Sequence, residues 1–514
     1  MKLDRRQFMR LSTIGAGSAF MTRLGFAGAQ TGGVAPDSSS KAQGGEPTSM
    51  HRMLFLDDYH IERMDGLVRT MHTPAKRGAV LRPDRPWEGD SPQIRSAPVY
   101  DPDSRLYKMW YARHCYAESD DGVNWRKPSL GLVEFQGSRD NNLVSTPGGA
   151  SLWLALRDPV DPDPQRRYKG LLGEGGPLQP AVSADGLRWR ALESSSPIPT
   201  EDEYQLNYDE LGQQFIATVK HGTQWGRSVY LTTSKDFEHW SEQTLIMHSD
   251  DADLEVVRRR IERHLTDPTL LSLFVNNPEQ YRAEIYNMPV FPYEDLYVGL
   301  PTKFNASGNI PPPRGNQDGI NLVELAASRD LHTWMRLGER DAFIPPSPIN
   351  VGAYDTGQLL AGSRPLLRND ELWFYYTGLR YRYRYDEWLN DTQGKPSDED
   401  MFPDGWGAIC LGVLRRDGFV SLDARTQGIV VTKPVPVSGP ELYLNAGTMT
   451  GEISVQALDD AETVVAASAP WRGDRVHGAV QWQEGAGLSG LVGRTVRLRL
   501  TLSAASLYSA WFGA

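Results

Sequence analysis

The chain has 514 residues, 39% hydrophobic content and 14 Trp, enough for a large core and for more than one domain. A formal charge of -11 and a pI near 5.5 exclude nucleic acid as the main partner, because a phosphate backbone needs a basic face. Two isolated cysteines, Cys115 and Cys410, exclude a disulfide framework; free buried thiols are expected, with one bridge between them as the alternative.

Residues 1–30 read as an export signal. Arg5 and Arg6 precede Phe8 and a weakly apolar segment ending "AGAQ", where Ala27 and Ala29 are small enough for a signal peptidase. The pattern resembles a twin-arginine signal and predicts a periplasmic or extracellular protein exported already folded. Residues 31–50, rich in Gly, Ser and Pro, read as a flexible linker. No later apolar run is long enough to span a membrane.

From residue 51 the text is short strands and turns, and one turn recurs. "ESDDGVNW", "VSADGLRW", "TTSKDFEHW" and "AASRDLHTW" end at Trp125, Trp189, Trp240 and Trp334. A worn fifth copy, "LRRDGFVSL", keeps Asp417 and Gly418 but has Ser421 in the tryptophan's place. Each copy lies inside a meander of strands joined by Gly, Asp and Pro turns, such as "APVYDPDSRLYKMWYA" followed by "CYAESDDGVNW". Repeated four-stranded meanders predict a β-propeller, and five copies predict five blades over residues 51–435. The Asp turns are structural in this reading, and the tryptophans pack between blades. "MLFLDDYHIERM" is predicted to add the strand that closes the ring, with Asp57 and Asp58 in the site as the alternative. Leu254, Val257, Ile261 and Leu265 recur at helical spacing within a long insertion. After Val435 the alternating segments lack the repeat and predict a small C-terminal β-sandwich over 436–514. The fold class is therefore all-β.

A propeller gathers the starts of its inner strands around one axis, so acids just before those strands are the natural site. "WEGDSPQIRSAP" offers Glu88, Asp90 and Arg95; "TEDEYQLN" offers Asp202 and Glu203; "AEIYNMP" offers Glu284, Tyr286 and Asn287; "GAYDTGQLL" offers Asp355. Carboxylates around one axis suit glycosidic cleavage: one protonates the leaving oxygen, another attacks or activates water, and a third tunes the acid. Asp90 is assigned as base or nucleophile, Glu203 as general acid and Asp355 as tuner or sugar ligand. Trp87, Trp153, Trp225 and Tyr354 are candidate stacking platforms. In "LRYRYRYDEW", Arg380, Arg382 and Arg384 alternate with tyrosines at strand period; if this ribbon lines the cleft, its Arg forks imply an anionic sugar, the alternative being Arg to solvent with Tyr packed underneath. No metal-ligand spacing stands out and no cofactor is required. Calcium is allowed, with "HSDDAD" (His248–Asp253) as oxygen donors.

The "ESDDGVNW"-type turns, "YKMWYA"-type strands and "SRDLHTW" resemble the five-bladed propeller glycoside hydrolases of families 32, 43, 62, 68 and 117, over roughly residues 51–435. The chain looks most like the bacterial family 32-like branch with an all-β C-terminal domain. The resemblance implies an acid from the inner strand of each of three successive blades. Arg157, Asp158 and Pro159 reproduce the "RDP" of family 32, where the Asp stabilises the transition state. Here, however, the tripeptide follows "SLWLAL" and takes the turn position of Asp101 and Asp209 in neighbouring units. Repeat alignment therefore makes Asp158 a turn residue. The "WMNDPNG" signature is absent, which counts against ordinary fructan hydrolysis. The expected function is glycoside hydrolysis of plant or algal oligosaccharides. The alternatives are a non-catalytic carbohydrate-binding propeller and a sugar lyase or transferase using Tyr286 or His221 as base.

Overall fold

The computed structural model describes residues 51–312, 316–382, 405–483 and 487–513. The segments read as signal and linker, and most of the arginine–tyrosine insertion, including Arg384, lie outside the described residues.

The repeated turn is local chemistry. Asp121 Oδ1 accepts the amides of Val123 and Asn124, both at 2.8 Å, while Ser119 Oγ accepts the amide of Gly122 at 2.9 Å. The same Ser-x-Asp arrangement returns at Ser183/Asp185, Ser234/Asp236 and Ser328/Asp330. A short acceptor that satisfies amides two and three residues on makes the chain reverse without help from a partner strand. The residue after the Asp has positive φ in all four copies. Gly122 and Gly186 occupy it comfortably, whereas Phe237 and Leu331 adopt 67° and 70°. At Gly186 a Cβ would also lie 2.6 Å from the Trp110 ring, so this turn packs directly on the neighbouring unit.

These turns organise a propeller-like ring of sheets. The first has Val99–Asp101, Leu106–Tyr111 and Cys115–Ser119, with Arg126 bridging Glu118 at the fourth-strand position. The second is Leu152–Arg157, Tyr168–Leu172, Gln179–Ser183 and Arg190–Ala191. The third is Tyr204–Asp209, Gln214–Thr223, Gly226–Ser234 and Thr244–Met247. The fourth is Val290–Tyr293, Leu296–Gly299, Ala326–Ser328 and Trp334–Arg336. Its strands continue past kinks as Arg282–Asn287, Thr302–Asn309 and Gln317–Val323, and these share an eight-stranded sheet with the strands of the fifth repeat. That fifth set runs Gln358–Ala361, Glu371–Leu379, Gly407–Arg415 and then Ala75–Leu81.

The closing strand is therefore Ala75–Leu81, antiparallel to Gly407–Arg415. The expected closing segment goes elsewhere. Met53–Leu54 pairs with Thr495–Gly513, while Ile61–Asp65 and Val68–Met71 pair with Val420–Thr432. Asp57 is taken by Arg329 and Asp58 by Arg69, so neither enters the hub. The C-terminal sheet has nine strands, led by Glu441–Leu458 and Thr495–Gly513. Bulges at Ala424/Gln427 and Thr448/Glu452 interrupt its long strands around a core that includes Leu442, Val455, Leu500 and Phe512. Sheet membership thus crosses the expected boundary at 435, since Val420–Thr432 and the residues before 72 belong to this sheet. Ser49–Ala514 forms one contact unit.

The helix Asp251–Thr266 is capped by Asp250, whose side chain accepts the Asp253 amide. Its buried face is Val257, Ile261 and His264; Leu265 is exposed, one position off the expected stripe. Asp253 is buried against Lys303 at 2.8 Å and Arg336 at 2.9 Å, and Asp250 pairs with Arg340. Those acids are neutralised by cationic side chains, which argues against the calcium reading. Among the described residues no group of three His, Cys, Asp or Glu is arranged to hold a metal, and no helix is long and apolar enough to cross a membrane. Cys115 and Cys410 are free and buried, so the bridge does not form.

Candidate functional site at the hub

The inner strand of the third unit builds the axis. Alternation sends Tyr204, Leu206 and Tyr208 into the apolar core and Glu203, Gln205 and Asn207 the other way. Gln205 Nε2 donates to Asn287 Oδ1 at 3.1 Å and to the Ala361 carbonyl at 3.3 Å. Asn207 Nδ2 donates to the carbonyls of Val290 and Ser363, both at 2.7 Å. One strand thereby ties units three, four and five together in two polar layers, and these layers separate the N-terminal mouth of the hub from its C-terminal mouth.

Glu203 sits at the N-terminal mouth. Arg95 Nε and Nη2 donate to its two oxygens at 2.6 Å each, and Asn287 Nδ2 adds a third bond at 2.7 Å. Arg95 and Glu203 are only 2% and 4% exposed. Arg95 also contacts the Ile94 carbonyl and Thr377, and its guanidinium lies 5.0 Å from the Trp153 ring centroid. A carboxylate gripped by a guanidinium fork and an amide has both oxygens occupied by donors. That geometry suits charge stabilisation rather than the proton-donor role expected of Glu203.

Beside this clamp, Tyr286 is ringed by cations. Lys220 Nζ is 4.6 Å from its ring centroid, Arg382 Cζ 5.2 Å and Arg227 Cζ 5.7 Å. Arg227 pairs with Glu284 and reaches Gln317 Oε1 at 3.0 Å. Lys220 pairs with Asp202. Arg382 also lies 4.5 Å from Phe304, and its Nε is buried without a hydrogen-bond partner. Burial, with Arg227 and Arg382 nearby, pushes the Lys220 ammonium down to about 7. Burial raises the Tyr286 phenol, opposed by Arg382. The mouth therefore combines a clamped carboxyl group, a lysine that titrates near neutrality and two guanidinium groups.

Five of the expected residues meet here: Arg95, Glu203, Tyr286, Asn287 and Arg382, with Asp202 at the edge through Lys220. Others go elsewhere. Asp355 pairs with Lys76 at 2.6 Å and accepts the Tyr376 hydroxyl at 2.8 Å. Tyr376 alternates with Thr377, the residue that bonds Arg95, so Asp355 lies across that strand from the Glu203 clamp. Trp87 is half-buried, pinned by its Nε1 bond to Asn142 and packed on Phe135 against the first unit's core. Tyr354 is buried with Arg380 4.3 Å from its ring, so neither lies in the Tyr286 cluster. Asp90 is half-buried in the loop before Arg95, its carbonyl accepting the Trp406 and Gly407 amides. His221 bonds Gln243 and packs edge-on against Tyr230. Trp225, 41% exposed and stacked on His248, remains a platform on the hairpin tip that leads to Arg227.

Asp158 is the turn residue that repeat alignment predicts. It accepts the Val160 amide at 2.9 Å and pairs with Lys169 at 2.9 Å. Asp101 does the same with Asp103 and Lys108; burial opposes its ionisation, but Lys108 prevails and the carboxyl falls to about 2.

Lys220, Arg227, Gln205 and Asn207 escaped the sequence reading. The alternating polar residues of "YQLNY" inside an otherwise apolar strand were the available signal for the last two.

No family model matches the chain, and no curated protein matches it in sequence. Solved structures align with it at low identity. One described as a glycoside hydrolase is 15% identical, covers 67% of this chain and 92% of its own, with a TM-score of 0.39. An N-acetylgalactosamine deacetylase from F. plautii is 13% identical over 72% and 96%, at 0.36. The β-fructofuranosidase of Schwanniomyces occidentalis is 10% identical over 86% and 98%, at 0.35.

Proposed function

We propose that the protein is an exported, five-bladed propeller hydrolase that cleaves an anionic glycan at the N-terminal mouth of its hub. One observation carries the reading: residues from separate repeats converge on Tyr286, where Glu203 is clamped beside Lys220, Arg227 and Arg382. In this proposal the two guanidinium groups receive the sugar's carboxylate or sulfate, and Trp153 and Trp225 stack on flanking rings. Glu203 stabilises the positive charge that develops on the sugar ring as the glycosidic bond breaks. Lys220, which holds or releases a proton near neutral pH, serves the leaving oxygen or the attacking water. The twin-arginine reading of residues 1–30 supplies the periplasmic or extracellular location.

The same cluster favours a second reading, β-elimination from a uronate, since neutralising cations beside a group that can take a proton are what that reaction needs. A panel of neutral, uronate-containing and sulfated polysaccharides separates the cases, with wild type beside Glu203→Gln and Lys220→Met. Hydrolysis predicts reducing ends without an unsaturated chromophore, and a loss of about a hundredfold or more in kcat/KM for each variant. An ultraviolet-absorbing unsaturated product selects elimination. Binding without cleavage selects a carbohydrate-binding propeller. Equal release by wild type and Glu203→Gln removes Glu203 from the chemistry.

A further inference from the structure

The C-terminal side of the hub opens into a cavity of about 500 Å³. Every repeat contributes to its lining: Pro98, Arg157, Asn207, Phe291 and Pro365 come from successive units. The Gln205 and Asn207 layers stand between this cavity and the Tyr286 cluster, so it is not the floor of the first site.

Its two guanidinium groups are not equally partnered. Arg364 on the rim is matched by Glu210 at 3.1 Å. Glu294 accepts the Arg52 amide at 3.0 Å, and the Arg52 guanidinium lies 3.8 Å away. Arg157 has neither a hydrogen bond nor an ion pair through its guanidinium among the described residues, and its Nε is buried from water. Burying part of a guanidinium without an acceptor is costly, and an anion seated in the cavity would remove that cost. One guanidinium without a direct acceptor calls for one anionic group placed against it. The apolar walls, Phe291 and the prolines, call for a carbon skeleton behind it, while Glu210 and Arg364 offer hydrogen bonds to hydroxyls. The volume is in the range of pockets that hold small organic molecules.

We infer that this C-terminal mouth is a binding site for a small monocarboxylate of sugar-acid size, with its carboxylate on Arg157. It is independent of the catalytic proposal, because none of its residues belongs to the Tyr286 cluster.

The test is calorimetric titration with glucuronate, beside glucose and sulfate. Saturable binding of glucuronate is expected, weakened about tenfold or more in Arg157→Gln, which loses charge-assisted hydrogen bonds. The same binding component is expected to survive Arg382→Gln, which disables the other mouth, and Arg157→Gln is expected to leave glycan turnover unchanged. Absence of binding, or binding that Arg157→Gln does not alter, overturns the inference. Sulfate binding as tightly as glucuronate overturns the sugar-acid part. Should Arg157→Gln fail to fold, wild-type crystals grown with glucuronate decide: density beside Arg157 supports the site, and density only elsewhere, or none, overturns it.

Discussion

At Asp121, Asp185, Asp236 and Asp330 the carboxylate serves two amides of its own turn. At Asp417 the same residue of the repeat is wholly buried. It accepts Arg52 Nη1 at 3.0 Å, the Tyr293 hydroxyl at 2.6 Å and Ser509 Oγ at 2.6 Å. Those donors come from the N-terminal segment, the fourth unit and the C-terminal sheet. The tryptophan is missing in this copy because the chain does not turn back to form an outer strand; Val420–Thr432 runs on into the C-terminal sheet. A repeated residue type can thus change from a local cap into a junction once three foreign elements converge on it.

The comparison can be broken most forcefully at the junction. Asp417→Ala leaves the Arg52 guanidinium buried without its partner and is expected to cost about 3–5 kcal/mol of unfolding free energy, read by urea denaturation. A loss no larger than at an ordinary turn would show that the junction adds nothing.

Glu294 sharpens the picture through pH. Burial, reinforced by Asp417, pushes its carboxyl up to about 7 from 4.5. The folded state therefore holds a proton between those values that the unfolded state has released, so stability from this group falls as pH rises through 4.5 to 7. Glu294→Gln keeps an acceptor for the Arg52 amide and removes the buried charge. It should stabilise by about 2 kcal/mol above pH 7, with the gain vanishing below about pH 4.5, as followed by thermal melts across that range. A gain that grows towards low pH would reverse the assignment.

The smallest effect belongs to an intact turn. Asp121→Ala removes an acceptor from amides that water can reach, and about 1 kcal/mol is expected in the same denaturation experiment.

The turns were legible in the sequence because their hydrogen bonds close within four residues, so residue type and spacing carry the whole signal. Ring closure was not. "AKRGAVL" has no clear alternation, and its pairing with Gly407–Arg415 is a matter of which distant edge is vacant. The hub was half legible for a related reason. Strand starts can be found by pattern, and Glu203, Tyr286 and Asn287 followed. Side-chain direction depends on register, so Asp355, chosen by the same rule, turned to Lys76 instead. Lys220 and Arg227 come from second and third strands, outside any search confined to the first.

Closure by Ala75–Leu81 has a consequence for synthesis. The early strand leaves the ribosome long before Gly407–Arg415 exists, so the growing chain carries an open sheet edge through most of its translation. A message cut short before that point would yield an unsealed ring with sticky margins, a target for chaperones and proteases instead of a smaller working protein.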